Sequence, residues 1–189
     1  MSVDIDVEDI LGEPDRKKGV KSGAKGKRKE REICKILNAR FLNLLMNHQE
    51  WGMFSRSVGS GNRWGQKVQL SKNASDTFSG DITPPTNFLF VLESKGGYND
   101  IDLNSAFDDG HTQIDEFLKQ VSDDSGRCGR QPMLIWRKDR RPGLAFMKSG
   151  VVPKEKEAQF QYTMKYRDWT AYFLDDVLTL EDGFFFNLS

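Results

Sequence analysis

Asp81, Glu93 and Lys95, with Glu30 as a distant fourth, are the residues of this 189-residue chain whose types and spacing suit catalysis. The first three lie in S-G-D-I-T-P-P-T-N-F-L-F-V-L-E-S-K-G, residues 79–96. Asp81 is read as closing a short extended piece, and Thr83-Pro84-Pro85 as turning the chain. Asn87 to Lys95 reads as a strand in which Phe88, Phe90 and Leu92 alternate with Leu89, Val91 and Glu93. Both faces are apolar, so the strand is a central one. A period of two puts Glu93 and Lys95 on one face. Burying such charges without partners is costly, and a divalent cation with a phosphate would supply them. Phosphodiester hydrolysis needs an activated water and neutralisation of charge on the phosphate, which Mg²⁺ or Mn²⁺ provides. These hard cations take oxygen ligands, often only one or two carboxylates plus water and phosphate. Asp81, Glu93 and the Ser94 carbonyl would form that cage. Lys95 would orient the water or stabilise the developing charge, and Glu30 would act as an outer ligand or hold a metal-bound water.

The elements that must position these groups follow from periodicity. Gly26 to about Asn47 predicts a helix with Ile33, Leu37, Phe41 and Leu44 on one stripe. Carried back by three residues, that stripe reaches Glu30 and leaves Glu32 off it. Trp51 to Ser57 predicts a short strand. Val58 to Gly65 is Gly-rich and carries Arg63 and Trp64, so its backbone can approach a phosphate closely. No G-K-[ST] follows, which excludes a Walker A loop. Gln66 to Phe78 reads as an insertion or a mobile loop. A polar link over Gly96 to Gly110 leads to a helix from Thr112 to Val121 with Ile114, Phe117, Leu118 and Val121 on one face. Asp123 to Gly129 then reads as a turn. Gln131 to Arg137 and Gly143 to Lys148 predict strands, and Ala158 to Tyr166 an edge strand. Asp168 predicts a helix N-cap before Trp169 to Leu178. The phenylalanines between Gly183 and Leu188 are expected to fold back on the core. This order predicts an α/β domain, a central mixed β-sheet flanked by helices. Its expected divisions are a flexible charged arm (1–24), a core (25–150) and a C-terminal extension packed on it (151–189).

Twenty-eight basic and 28 acidic residues cancel, so net charge selects no partner. Their distribution does: residues 1–15 hold acids and no base, whereas Arg16 to Arg31 holds nine bases and one acid, Glu30. Such a run reads as a solvated, flexible arm that contacts nucleic acid, with a charged tail that aids solubility as the alternative. Cys34 and Cys128 match neither a disulfide framework nor a zinc spacing. The acidic N-terminus lacks a signal-peptide core and no apolar run would span a bilayer, so a cytoplasmic protein with no membrane partner is expected. His48 and His111 leave little for zinc or Ser-His-Asp hydrolysis, and no dinucleotide fingerprint is present.

The pattern G-D-x(11)-E-S-K, Gly80-Asp81 to Glu93-Ser94-Lys95, resembles the PD-(D/E)xK nuclease superfamily, with Gly80 where proline often stands. Lys25-Gly26 followed by Glu30-Arg31-Glu32, and then Arg56-Ser57-Val58-Gly59-Ser60, resemble the opening helix and strand end of archaeal-type Holliday junction resolvases and their phage relatives. The resemblance spans roughly residues 25 to 148 and implies a restriction-endonuclease-like core. It implies a homodimeric, Mg²⁺- or Mn²⁺-dependent endonuclease cutting branched or double-stranded DNA. Glu30, Asp81, Glu93 and Lys95 would be catalytic, with Asp81, Glu93 and Ser94 on the metal. Arg31 and Arg56 would bind phosphates, alongside Lys27, Arg28, Ser57, Ser60 and Arg63 on the DNA. Gln113, one turn into the following helix, would support the lysine or the water. The alternatives are a sequence-specific or flap-directed nuclease of the same superfamily and an inactive DNA-binding module of this fold.

Overall fold

A computed structural model describes residues 22–57, 79–97 and 112–188. The charged arm up to residue 21, the Gly-rich loop with Ser60 and Arg63, the 66–78 insertion and most of the 96–110 link, with His111, lie outside the described residues. Helix α1 (Ser22–Arg40) starts before the expected Gly26. At Phe41 (φ −102°, ψ 15°) it gives way to α2 (Leu42–Asn47). Ile33, Leu37 and Phe41 are buried as their spacing requires, but beyond the break Leu45 takes the buried place expected of Leu44. The dihedrals at Phe41 rotate the phase of the stripe.

After a 3₁₀ turn at Gln49–Trp51 come β1 (Ser55–Arg56) and β2 (Ile82–Thr83). Asp81 therefore precedes an extended piece rather than closing one. Strand β3 (Phe90–Gly96) is central, as its two apolar faces require. Helix α3 (Gln113–Cys128) opens on a capping box between Thr112 and Asp115. It runs through the expected turn at Asp123 and stops only at Gly129, whose φ of 71° ends a helix without a Cβ penalty. Asp124 continues the buried stripe and is neutralised by Arg127.

Strands β4 (Gln131–Arg137) and β5 (Leu144–Lys148) follow. After the short helix α4 (Lys154–Glu157) come β6 (Thr163–Tyr166), at the sheet edge, and β7 (Trp169–Phe173). The helix expected from Trp169 is thus a strand. W-T-A-Y-F is aromatic and β-branched, and it finds a partner on each side, β5 and β6. Asp168 caps no helix. It lies between β6 and β7 and accepts a hydrogen bond from Lys148 Nζ at 2.6 Å. Short helices α5 (Leu174–Val177) and α6 (Asp182–Phe185) complete the described chain.

Among the described residues the strands form one seven-stranded mixed sheet, in the order β1-β2-β3-β4-β5-β7-β6. Only β3 and β4 pair in parallel, and α3 makes their crossover. Helix α1 covers one face, packing Ile33 and Leu37 on Ile82, Leu92 and Ile135. Phe185 and Phe186 fold back as expected, each ring centred 5.0 Å from that of Phe41. Helix α3 covers the other face through Ile114, Phe117, Leu118 and Val121, against Val91, Leu134 and Phe146. The extension after residue 150 contributes β6 and β7 to the sheet itself. No described helix is long and apolar enough to cross a membrane.

Candidate active site

Two tight backbone contacts hold Asp81. Its N–H donates to the Leu92 carbonyl at 3.0 Å, and its own carbonyl accepts from Ser57 N at 2.9 Å. Gly80 makes this approach possible. Its φ is 79°, and a Cβ there would stand 2.5 Å from the Leu92 carbonyl oxygen. Proline, whose ring holds φ near about −65°, does not fit this backbone. The Asp81 side chain turns toward β3, where Oδ2 accepts from Ser94 N at 3.2 Å.

Alternation along β3 assigns the faces. Leu92 packs with α1, whereas Val91 packs with α3, so Glu93 and Lys95 look toward α3. Lys95 Nζ donates to Glu93 Oε1 at 2.5 Å and to Gln120 Oε1 of α3 at 2.9 Å. It also stands 5.3 Å from the centre of the Phe117 ring. Glu93 is fully buried, and its second oxygen, Oε2, has no hydrogen-bond partner. Burial and, after it, the Asp81 charge hold the Glu93 carboxyl well above the usual carboxylate range, against the pull of Lys95.

An oxygen without a partner and a second acid close enough to keep a proton on Glu93 are both unfavourable for the charged, metal-free site. A divalent cation would remove both faults. The donors on offer are all oxygens, which suits Mg²⁺ or Mn²⁺. Ser94 points its N–H toward Asp81, and in an extended strand its carbonyl shares that edge, so it fits as a third donor. The acids number two, not three: no group of three or more acidic, histidine or cysteine side chains that would hold an ion occurs among the described residues.

Glu30 is on α1, and Arg56 Nε donates to its Oε2 at 2.5 Å. Arg56, expected on a phosphate, pairs with this acid in the structure, because a nearly buried carboxylate needs a counter-charge. Ser57, expected on DNA, is fully buried, with its Oγ 3.1 Å from Thr83 Oγ1, so it builds the β1–β2 pairing instead. Lys27, Arg28 and Arg31 are exposed on α1, and Arg28 faces Glu32 at 3.6 Å. Ser60 and Arg63 lie outside the described residues. Gln113 is exposed and donates to Glu116 at 2.8 Å, and the glutamine that meets Lys95 is Gln120, two turns further on. Its sequence signal is slight: it flanks the apolar stripe three residues after Phe117. The register of α3 against β3 depends on the intervening link, which periodicity does not supply.

A family model described as "phage putative PDDEXK endonuclease" matches residues 21–183 of the chain, from α1 into α6. No curated protein and no solved structure matches it.

Proposed function

Since the chain belongs to the phage PDDEXK endonuclease family, with the restriction-endonuclease-like α/β fold, we propose that it is a Mg²⁺- or Mn²⁺-dependent endodeoxyribonuclease whose preferred substrate is branched DNA, the four-way Holliday junction above all. The observation that carries the catalytic reading is the unpartnered, buried Glu93 Oε2 beside Asp81, with Lys95 held on the other oxygen. Asp81, Glu93 and the Ser94 carbonyl would hold the ion. The chemistry supplied by a divalent ion there is activation of a water and withdrawal of charge from the phosphate.

The chain's own groups do the rest. Asp81 and Glu93, one on each side of the β2–β3 edge, fix where the scissile phosphate sits. Lys95, clamped between Glu93 and Gln120, presents its ammonium to the charge that builds on the non-bridging oxygens. Phe117 and the β3 core bury Glu93 completely, which strengthens its interactions with Asp81 and Lys95. Lys27, Arg28 and Arg31 extend the basic run along α1 and would track the DNA backbone. Leu42 and Met46, four residues apart on α2 and about half exposed, offer an apolar face for the homodimer that this reading includes. Light scattering reads that dimer directly.

The test is a cleavage panel of four-way junction, flap and linear duplex, each with Mg²⁺, Mn²⁺ or EDTA. Preferential nicking of the junction supports the full reading. Preferential cutting of a flap or of one duplex sequence keeps the nuclease and changes its substrate. If every DNA stays intact with either ion, the nuclease reading ends, and DNA binding in EDTA would make the protein a binding module. Calorimetric titration of Mn²⁺ gives an independent readout, with binding expected for the native chain and lost in Asp81→Ala.

A further inference from the structure

A cavity of about 330 Å³ opens on the face that carries Lys95 and has no part in the site above. Its walls are Trp136, Lys138, Arg141, Leu144, Tyr162 and Phe173. Cross-strand pairing sets these residues in one row across the sheet. Lys95 pairs with Trp136, Trp136 with Leu144, and Leu144 with Phe173. Tyr162 stands just before β6 and stacks on Phe173, with ring centres 4.9 Å apart and planes 22° apart. Strands lie about 4.8 Å apart, so Leu144, on the floor, is about 10 Å from Lys95. That is one to two nucleotide steps along a strand.

The lining chemistry is selective. Among the described residues, two cations and three aromatic rings line the cavity, with no acid. Lys138 is steered by Trp136, its Nζ lying 5.2 Å from the ring centre. Arg141 is exposed, and no described acid pairs with it. The neighbouring Asp139 faces Lys29 Nζ at 3.2 Å. A flat aromatic shelf beside paired positive charges fits a flat ring carrying an anion. The volume lies at the lower end of ordinary ligand sites, about 300–1,000 Å³.

We propose that this cavity receives one unpaired nucleotide of the substrate strand near the scissile phosphate, with its base on the Tyr162–Phe173 shelf and its phosphate between Lys138 and Arg141. The proposal rests on the nuclease reading for its substrate, but its test does not require cleavage.

A short thymidine oligonucleotide carrying one 5-iododeoxyuridine is bound to the full chain in EDTA, irradiated, and the adduct located by mass spectrometry. Affinity is read by fluorescence anisotropy across a salt series. An adduct at Tyr162 or Phe173 is expected. Tyr162→Ala should weaken binding about tenfold while Tyr162→Phe keeps it, because stacking needs the ring and not the hydroxyl. Arg141→Ala, an exposed change that spares the fold, should weaken binding and lower the salt slope by about 0.7, the value for one single-strand phosphate contact. Binding by Tyr162→Ala and Arg141→Ala within twofold of the native chain, or an adduct confined to other residues, overturns the proposal. If Tyr162 is labelled while no DNA is ever cut, the pocket stands and the nuclease reading falls. Cleavage with no effect from either variant gives the reverse.

Discussion

Lys95 Nζ and Gln120 Oε1 lie 2.9 Å apart, joining the central strand to helix α3 across 25 residues of sequence. With the 2.5 Å bond to Glu93 Oε1, this contact fixes the ammonium in one place. A lysine side chain held at two points has already lost the rotamer freedom that would otherwise be lost at the transition state.

Gln120→Ala is therefore expected to lower the single-turnover cleavage rate about tenfold and leave DNA affinity in EDTA unchanged. Gln120→Glu keeps an acceptor for Lys95 and should recover part of the rate. A purely structural role would instead lower thermal stability and affinity together.

The raised Glu93 carboxyl makes the metal-free protein pH-sensitive. The native state keeps this proton to higher pH than the unfolded chain, whose glutamate titrates near about 4.3. Between those two values the native state binds more protons, so stability falls as pH rises. Without metal, thermal unfolding should move to lower temperature as pH rises above that value, and Glu93→Gln should remove most of the dependence. Bound as proposed, Mg²⁺ would compete with the proton for the same oxygens, so its stabilising shift should grow with pH. A metal shift that is equal at pH 5.5 and 8 would contradict the site.

Gly80 has the φ of 79° that lets Asp81 reach Leu92. Gly80→Ala places a methyl 2.5 Å from a backbone oxygen in a left-handed conformation and should cost about 2 kcal/mol or more. Urea unfolding measures that loss. Cleavage should fall further than stability alone predicts, because Asp81 moves with the backbone.

The Glu30–Arg56 pair can be tested apart from Asp81, Glu93 and Lys95. Arg56→Ala removes the 2.5 Å counter-charge of a nearly buried acid and should cost about 3 kcal/mol. A double-mutant cycle with Glu30→Ala should give a favourable coupling of about 1–3 kcal/mol. If Glu30→Gln keeps cleavage near the native rate, Glu30 is a structural acid. Loss of cleavage with stability retained would make it catalytic, as the sequence leads one to expect.

What the sequence determined by itself was the part governed by local geometry. Alternation along residues 87–95 put Glu93 and Lys95 on one face because strand side chains repeat every two residues. The spacing of Ile33, Leu37 and Phe41 set the buried stripe of α1 with Glu30 at its head, and the order of elements was sufficient for an α/β sheet. Tertiary structure decided what depended on partners far along the chain. Trp169–Phe173 became a strand because β5 and β6 stood ready on both sides. Glu30 went to Arg56, and Gln120, rather than Gln113, met Lys95. A hydrogen bond needs its two groups within about 3 Å, and how far one element slides along another is set by packing, which no local repeat encodes.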